Sequence, residues 1–267
     1  MARKGDRQRR RKVTERHGFW FRLCVLVIWP LAQLLTRRRR AGMEQVPPTG
    51  GVLLVANHVS IVDPLTMAQF VYDCGRLPHF LAKASLFDMP VVGPVMRGTG
   101  QIPVARGTTD AAGSLSAALQ ALQDGKAIII YPEGTTSRDP QLWPMRARTG
   151  VARLALTAGV PVLPVTQWGP QEIFRRGGHL RPFSRPVVHV RVGAPLDLSR
   201  WEGQALTPAV LRAVTESIMD AITAPLAEIR AAQPPVGRWD PRTGTHLHGT
   251  EAIAQTDARS ARGPVGS

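Results

Sequence analysis

A histidine followed five residues later by an aspartate, His58 and Asp63, is the pair in this chain whose side chains could do chemistry together. A carboxylate that holds the Nδ1 proton of an imidazole leaves Nε2 free to take a proton from a hydroxyl, which is general-base catalysis on an alcohol. Residues five apart on one helix point about 140° away from each other, so the two could not meet on a helix face. A turn running into a helix start could bring them together. The spacing alone is cheap: seven histidines and 19 acids among 267 residues yield about 0.5 such pairs by chance. His246 and Glu251 repeat it with no strand before them, and that pair is read as a decoy.

His58 differs from the decoy in the elements around it. The apolar run Val52-Leu53-Leu54-Val55 reads as a buried strand, so the histidine falls just past a strand end. Asp63-Pro64 is a helix-start signal, with the carboxylate at the N-cap and proline at N1, and Leu65, Met67, Ala68 and Val71 continue it as a helix. Downstream, Pro78 to Ala84 reads as a strand carrying Lys83 near its end, and Met89 to Gly100 as a short helix and turn bordering a lipid groove. Gln101 to Arg106 reads as a strand, Thr109 to Asp124 as a helix stopped by Gly125, and Ala127 to Tyr131 as a fully apolar strand. That last strand runs into Pro132-Glu133-Gly134-Thr135-Thr136-Ser137-Arg138, a polar loop where α/β proteins put ligand sites. A helix from Thr149, strands at Val160 to Val165 and Val187 to Val192, and an amphipathic helix from Pro208 to Ala232 complete the pattern. Alternating strands and helices predict an α/β fold with a largely parallel central sheet flanked by helices.

With 43% hydrophobic residues the chain can build a sizeable core. Its charge is uneven: residues 1–40 carry a net +11 of the total +15, and the rest only +4. Arg9 to Lys12 and Arg37 to Arg40 flank Phe19 to Leu35, an apolar segment broken by Arg22, Pro30 and Gln33. A membrane span needs about 20 apolar residues and one basic flank, so this segment is expected to lie in one leaflet. Trp20, Phe21 and Trp29 would sit at the interface and the arginines at anionic headgroups. The expected organisation is a basic membrane-associating arm at 1–41, a catalytic body at 42–232 and a disordered tail at 233–267. Cys24 and Cys74 form no metal or disulfide spacing and read as small buried hydrophobes. No clustered His, Cys or acid ligands suggest a metal.

Four motifs in order, NHVSIVDP at 57–64, GQIPVAR at 100–106, PEGTTS at 132–137 and VPVLPV at 160–165, give a resemblance to the lysophosphatidic acid (1-acylglycerol-3-phosphate) acyltransferases, covering roughly residues 50–200. The resemblance implies the glycerolipid acyltransferase fold. It implies transfer of a fatty acyl group from acyl-CoA or acyl carrier protein, as co-substrate rather than cofactor, to a hydroxyl of a lysophospholipid. His58 and Asp63 would be the catalytic dyad, working without a covalent intermediate. An alcohol attacking a thioester needs a base but no nucleophilic relay, and no G-x-S-x-G elbow is present. By the same resemblance Arg106 would bind the acceptor phosphate, where its planar fork fits. Glu133, Gly134 and Thr135 would organise the acceptor site, the acid as a hydrogen-bond acceptor and the glycine for a tight turn.

One position departs from the family pattern, which reads E-G-T-R-S: here Thr136 stands where the arginine should be. Either Arg138 or Arg148 supplies that charge, with Lys83 a further basic candidate, or the acceptor is a different lysophospholipid or a glycolipid. The expected partners are membrane lipids, the acyl donor and the lysophospholipid acceptor, at the cytoplasmic face of the cell membrane. Two rivals of other classes remain at this level: a basic nucleic-acid-binding protein, disfavoured because the positive charge sits beside a Trp/Leu-rich stretch, and a lipid-binding module without turnover.

Overall fold

The computed structural model describes residues 10–104, 111–174 and 177–247. Its centre is a seven-stranded sheet: β1 (Arg37–Ala41), β2 (Val52–Ala56), β3 (Pro78–Lys83), β4 (Ile102–Val104), β5 (Ala127–Ile130), β6 (Val162–Trp168) and β7 (Val187–Val192). They lie in the order β1-β7-β6-β2-β5-β3-β4. All neighbours are parallel except β6 and β7, which pair antiparallel. The expected α/β class and largely parallel sheet are observed.

Strand β2 is buried on both faces, and its residues divide between two cores by the two-residue period of a strand. Leu53 and Val55 face Ile128 and the helices α4 (Ala111–Gln123), α5 (Gly150–Thr157) and α6 (Pro208–Arg230). Val52, Leu54 and Ala56 face Met67, Phe70 and Val71 of α2 (Asp63–Asp73). A short helix α3 (Val92–Gly98) and the N-terminal α1 (Phe19–Leu35) cover the α2 side.

The topology explains where a site can form. Strands β2, β5 and β6 are adjacent and parallel, so the residues that follow each of them emerge at one edge of the sheet, where α/β folds hold ligands.

Three expectations about the ends of the chain change. Arg37 to Arg40, assigned to the arm, form the edge strand β1 on β7, and Arg40 and Arg10 pair with Asp73 of α2. Alternation along a strand is the reason: it turns Arg38 and Arg40 toward the body and leaves Arg37 and Arg39 exposed. Phe21 and Trp29 face the body rather than an interface; Phe21 is buried with Tyr72 and Leu77, and the Trp29 indole N–H donates to Asp73 Oδ1 at 2.9 Å. Residues 238–247, expected to be part of a disordered tail, form an antiparallel hairpin of β8 (Arg238–Asp240) and β9 (Thr245–Leu247). Charge holds it: Arg238 pairs with Glu216 at 2.7 Å and Asp220 at 2.5 Å on α6, and Asp240 with Arg146 at 3.0 Å. The remaining tail, 248–267, is outside the described residues.

Candidate active site

The turn between β2 and α2 carries the expected pair. His58 Nδ1 lies 2.8 Å from Asp63 Oδ2. The same oxygen accepts the backbone N–H groups of Val59 at 2.6 Å and Ser60 at 2.9 Å. The carboxylate thus turns back onto the preceding turn instead of capping the helix it begins, which differs from the N-cap role expected of it. Ser60 tightens the turn: its hydroxyl donates to the Phe174 carbonyl at 2.5 Å and accepts the Val62 N–H at 3.2 Å. Asp63 is fully buried, and burial raises its carboxyl above the usual range while His58 and the two backbone donors pull it back down. Donors converging on one oxygen favour the ionised acid, so the His58 proton sits on Nδ1 and Nε2 is left as an acceptor.

Two further contacts fix the histidine, and the sequence reading did not anticipate them as such. Glu133 was assigned to the acceptor. Its Oε1 instead accepts the His58 backbone N–H at 2.9 Å, and its Oε2 accepts the Met145 N–H at 2.9 Å. Both oxygens are therefore used inside the protein. Burial pushes the Glu133 carboxyl up to about 8, opposed by the Met145 and His58 N–H groups. Tyr131, the residue between β5 and Pro132, stacks its ring on the His58 imidazole with centroids 4.2 Å apart and planes at 19°. Its burial and the Asp63 charge hold the phenol well above its ordinary range, so it stays neutral. Beneath them, Asn57 and Gln167 clamp β2 to β6: the Asn57 amide donates to the Gln167 carbonyl at 3.0 Å and accepts the Gln167 N–H at 2.8 Å. The Gln167 side chain donates back to the Asn57 carbonyl at 2.7 Å. A polar residue closing an otherwise apolar strand was the one sequence signal for this clamp.

Glu133→Ala would leave two N–H groups without their acceptor, each costing about 1–3 kcal/mol when buried. We expect a loss of about 3 kcal/mol of stability, read as a melting midpoint about 6–12 °C lower by differential scanning calorimetry.

Gly134 has φ +74, the left-handed conformation that a tight turn demands. A Cβ there would also meet the Arg148 side chain, 3.0 Å from its Nε. Arg148 therefore lies along the turn that borders His58. Thr135 is half-buried on the same turn and Thr136 is 8% exposed. Arg138 points outward, and its backbone N–H meets Met145 Sδ at 3.0 Å. Arg106 lies outside the described residues; β4, which precedes it, ends at Val104.

His58, Tyr131 and Gly134 line a cavity of ≈ 520 Å³ whose other walls are mostly apolar: α1 through Val25 and Ile28, α2 through Leu65 and Ala68, α3 through Val95 and Met96. Lys83, at the end of β3, also lines it. Cys24 is half-buried in the same wall, whereas Cys74 is fully buried and its thiol is pushed up to about 12 by burial. The decoy histidine, His246, packs elsewhere, 3.2 Å from Asp139; Glu251 lies outside the described residues. Among the described residues no group of His, Cys, Asp and Glu could hold a metal. Among them, too, no helix is long and apolar enough to cross a membrane.

Against known proteins, residues 37–168, from the first residue of β1 to the last of β6, match the family model "Acyltransferase". A 1-acyl-sn-glycerol-3-phosphate acyltransferase of Borreliella burgdorferi is 30% identical over 178 residues, covering 63% of this chain and 66% of that protein. A chloroplastic 1-acyl-sn-glycerol-3-phosphate acyltransferase of Brassica napus is 30% identical over 138 residues, covering 51% of this chain and 38% of that one. The chain thus spans less than two thirds of the length of these curated relatives. Among solved structures, the 1-acyl-sn-glycerophosphate acyltransferase PlsC of Thermotoga maritima shares the fold, with a TM-score of 0.57 and 22% identity over 78% of this chain and 82% of that one. Residues 37–168 thus resemble the acyltransferase family model, the relatives are named acyltransferases, and the solved structure shares the fold.

Proposed function

We propose that the protein transfers a fatty acyl group from a thioester donor, acyl-CoA or acyl carrier protein, to the free hydroxyl of 1-acylglycerol-3-phosphate. The observation that carries this is His58, with Nδ1 held by Asp63 and Nε2 unclaimed, lining a mostly apolar cavity able to take an acyl chain. Nε2 draws the proton from the acceptor hydroxyl as its oxygen attacks the thioester carbonyl. The C–S bond then breaks, and the proton passes from Nε2 to the departing thiolate, so no covalent enzyme intermediate, metal or cofactor is required. The related proteins named above carry the acceptor in their names, which supports lysophosphatidate as the acceptor here.

Thr136 keeps a second acceptor in view, because the cation that the family pattern has there is missing. Arg148, lying along Gly134 beside His58, fits as its replacement better than the outward-pointing Arg138 does, and Lys83 offers a cation that lines the cavity itself. The test is an acyl-transfer assay on the purified full chain with one acyl-CoA and a panel of lysophosphatidate, lysophosphatidylcholine, lysophosphatidylglycerol and a glycolipid. Phosphatidic acid as the dominant product supports the reading; a tenfold preference for another acceptor replaces it with the second, and no transfer to any acceptor rejects both.

We also assign the protein to the membrane surface as a peripheral enzyme. Apart from Arg22, the exposed residues of α1 are apolar: Phe19, Leu26 and Leu34 are 69%, 73% and 63% exposed. Ile61, Leu65 and Val92 line the cavity and are exposed as well, so its mouth is apolar and opens toward lipid. Burying a leucine side chain contributes about 1.5–3 kcal/mol. Replacing Leu26 and Leu34 together by glutamate should weaken binding to anionic vesicles at least about tenfold, measured by flotation, with the fold intact by circular dichroism.

A further inference from the structure

A second cavity, ≈ 520 Å³, lies beside the loop that follows β6, and it shares no lining residue with the apolar one. Its walls include Leu142, Trp168, Gln171, Glu172, Arg181 and Arg230. Arg230, the last residue of α6, is held between two indoles, its Cζ 3.9 Å from the Trp143 ring centroid and 4.3 Å from that of Trp168. Stacking on both faces fixes the guanidinium and leaves only its edge for hydrogen bonds. Its Nη1 is buried and has no hydrogen-bond partner. Gln171, 5% exposed, shows the same pattern: Oε1 accepts the Gly169 N–H at 2.8 Å, while Nε2 is buried and unpartnered.

Two donors, one of them cationic, are thus left unmet at a single cavity. A buried donor without an acceptor is costly, and an anion with several acceptor oxygens would satisfy both. Among the described residues of the lining Glu172 is the one carboxylate, against the cations Arg181 and Arg230, and the charge of Asp139 also acts on Arg230. The charge therefore favours an anion. Leu142 adds a second sign of a built site, since its φ of +61 is a conformation that a bulky residue adopts only when its surroundings impose it.

We propose that this cavity binds a phosphate ester of the acyl donor, the nucleotide phosphates at the far end of coenzyme A. The inference rests on the reading of the first site as thioester acyl transfer. The acceptor's phosphate is only a few bonds from the hydroxyl that His58 would deprotonate, so it cannot occupy a separate cavity while that hydroxyl reacts. The donor's phosphates are separated from its thioester by the whole pantetheine arm. The chain bounds the separation of the two rims: Gly134 lines the first cavity and Pro140 the second, six residues apart, at most about 20 Å of backbone. An extended pantetheine arm reaches that far.

The experiment is titration calorimetry on the full chain with adenosine 3′,5′-bisphosphate, glycerol 3-phosphate and inorganic phosphate. Gln171→Glu keeps the acceptor for Gly169 and replaces the unmet donor with a carboxylate; Arg230→Gln removes the charge. The bisphosphate should bind the wild type and bind both variants at least about tenfold more weakly. Unchanged binding in Gln171→Glu overturns the proposal even if Arg230→Gln fails to fold, and so does the absence of bisphosphate binding. Glycerol 3-phosphate or free phosphate binding as tightly, with the same loss in Gln171→Glu, overturns the assignment to the donor. The readout needs no turnover: a protein that binds the bisphosphate but transfers no acyl group to any acceptor would sink the proposed function and leave this site standing.

Discussion

Replacing His58 by alanine is expected to lower kcat/KM for acyl transfer by about 10²–10⁴-fold, the usual contribution of a positioned general base. The imidazole is placed for that role: its Nδ1 is tied to Asp63, its ring rests on Tyr131, and the residue lines the cavity. The backbone N–H that Glu133 accepts belongs to residue 58 whatever its side chain, so the turn keeps its anchor in the variant. The melting midpoint and vesicle binding should therefore stay near those of the wild type. Transfer within about tenfold of wild type would mean that the proton is removed by some other group, and the assignment of His58 would fall.

Asp63→Asn is expected to lower kcat by about 10²–10⁴-fold, a hydrogen-bonded buried charge pair being worth about 3–5 kcal/mol when one partner is removed. Three donors converge on Oδ2, and the other oxygen, Oδ1, is buried without a partner. An amide can therefore keep its oxygen on the three donors and place its NH₂ where Oδ1 now stands. The fold survives; the negative charge that stabilises the imidazolium during proton transfer does not. The loss should appear in kcat, with the acceptor KM little changed, because Asp63 is fully buried behind His58. A kcat within threefold of wild type would show that the carboxylate only positions the ring.

The parts of this site that were readable in the chain are the local ones. The apolar run at 52–55, the Asp-Pro helix start and the glycine of the 131–134 turn each depend on neighbours within a few residues, so their patterns survive without knowledge of the fold. The His58–Asp63 contact is of this kind, closed by a five-residue turn. The contacts of His58 with Glu133 and Tyr131, and the Asn57–Gln167 clamp, are of another kind: the partners are 73 to 110 residues apart in sequence. They meet because β2 lies between β5 and β6, and nothing in the individual strands dictates that neighbourhood. The same limit explains why Glu133 was assigned to substrate when both its oxygens serve the backbone.

The sequence by itself determined the class of fold, the strands and helices from 52 to 232, the meeting of His58 with Asp63 and the resemblance to the acyltransferases, because periodicity, turn chemistry and ordered motifs are local properties. Only the tertiary structure decided which face of α1 turns outward, that Arg37 to Arg40 join the sheet, that residues 238–247 fold back onto α6, and that Arg230 and Gln171 leave donors unmet at one cavity. Each of these depends on which distant surfaces pack together, and that choice is made by burial and charge pairing across the whole chain.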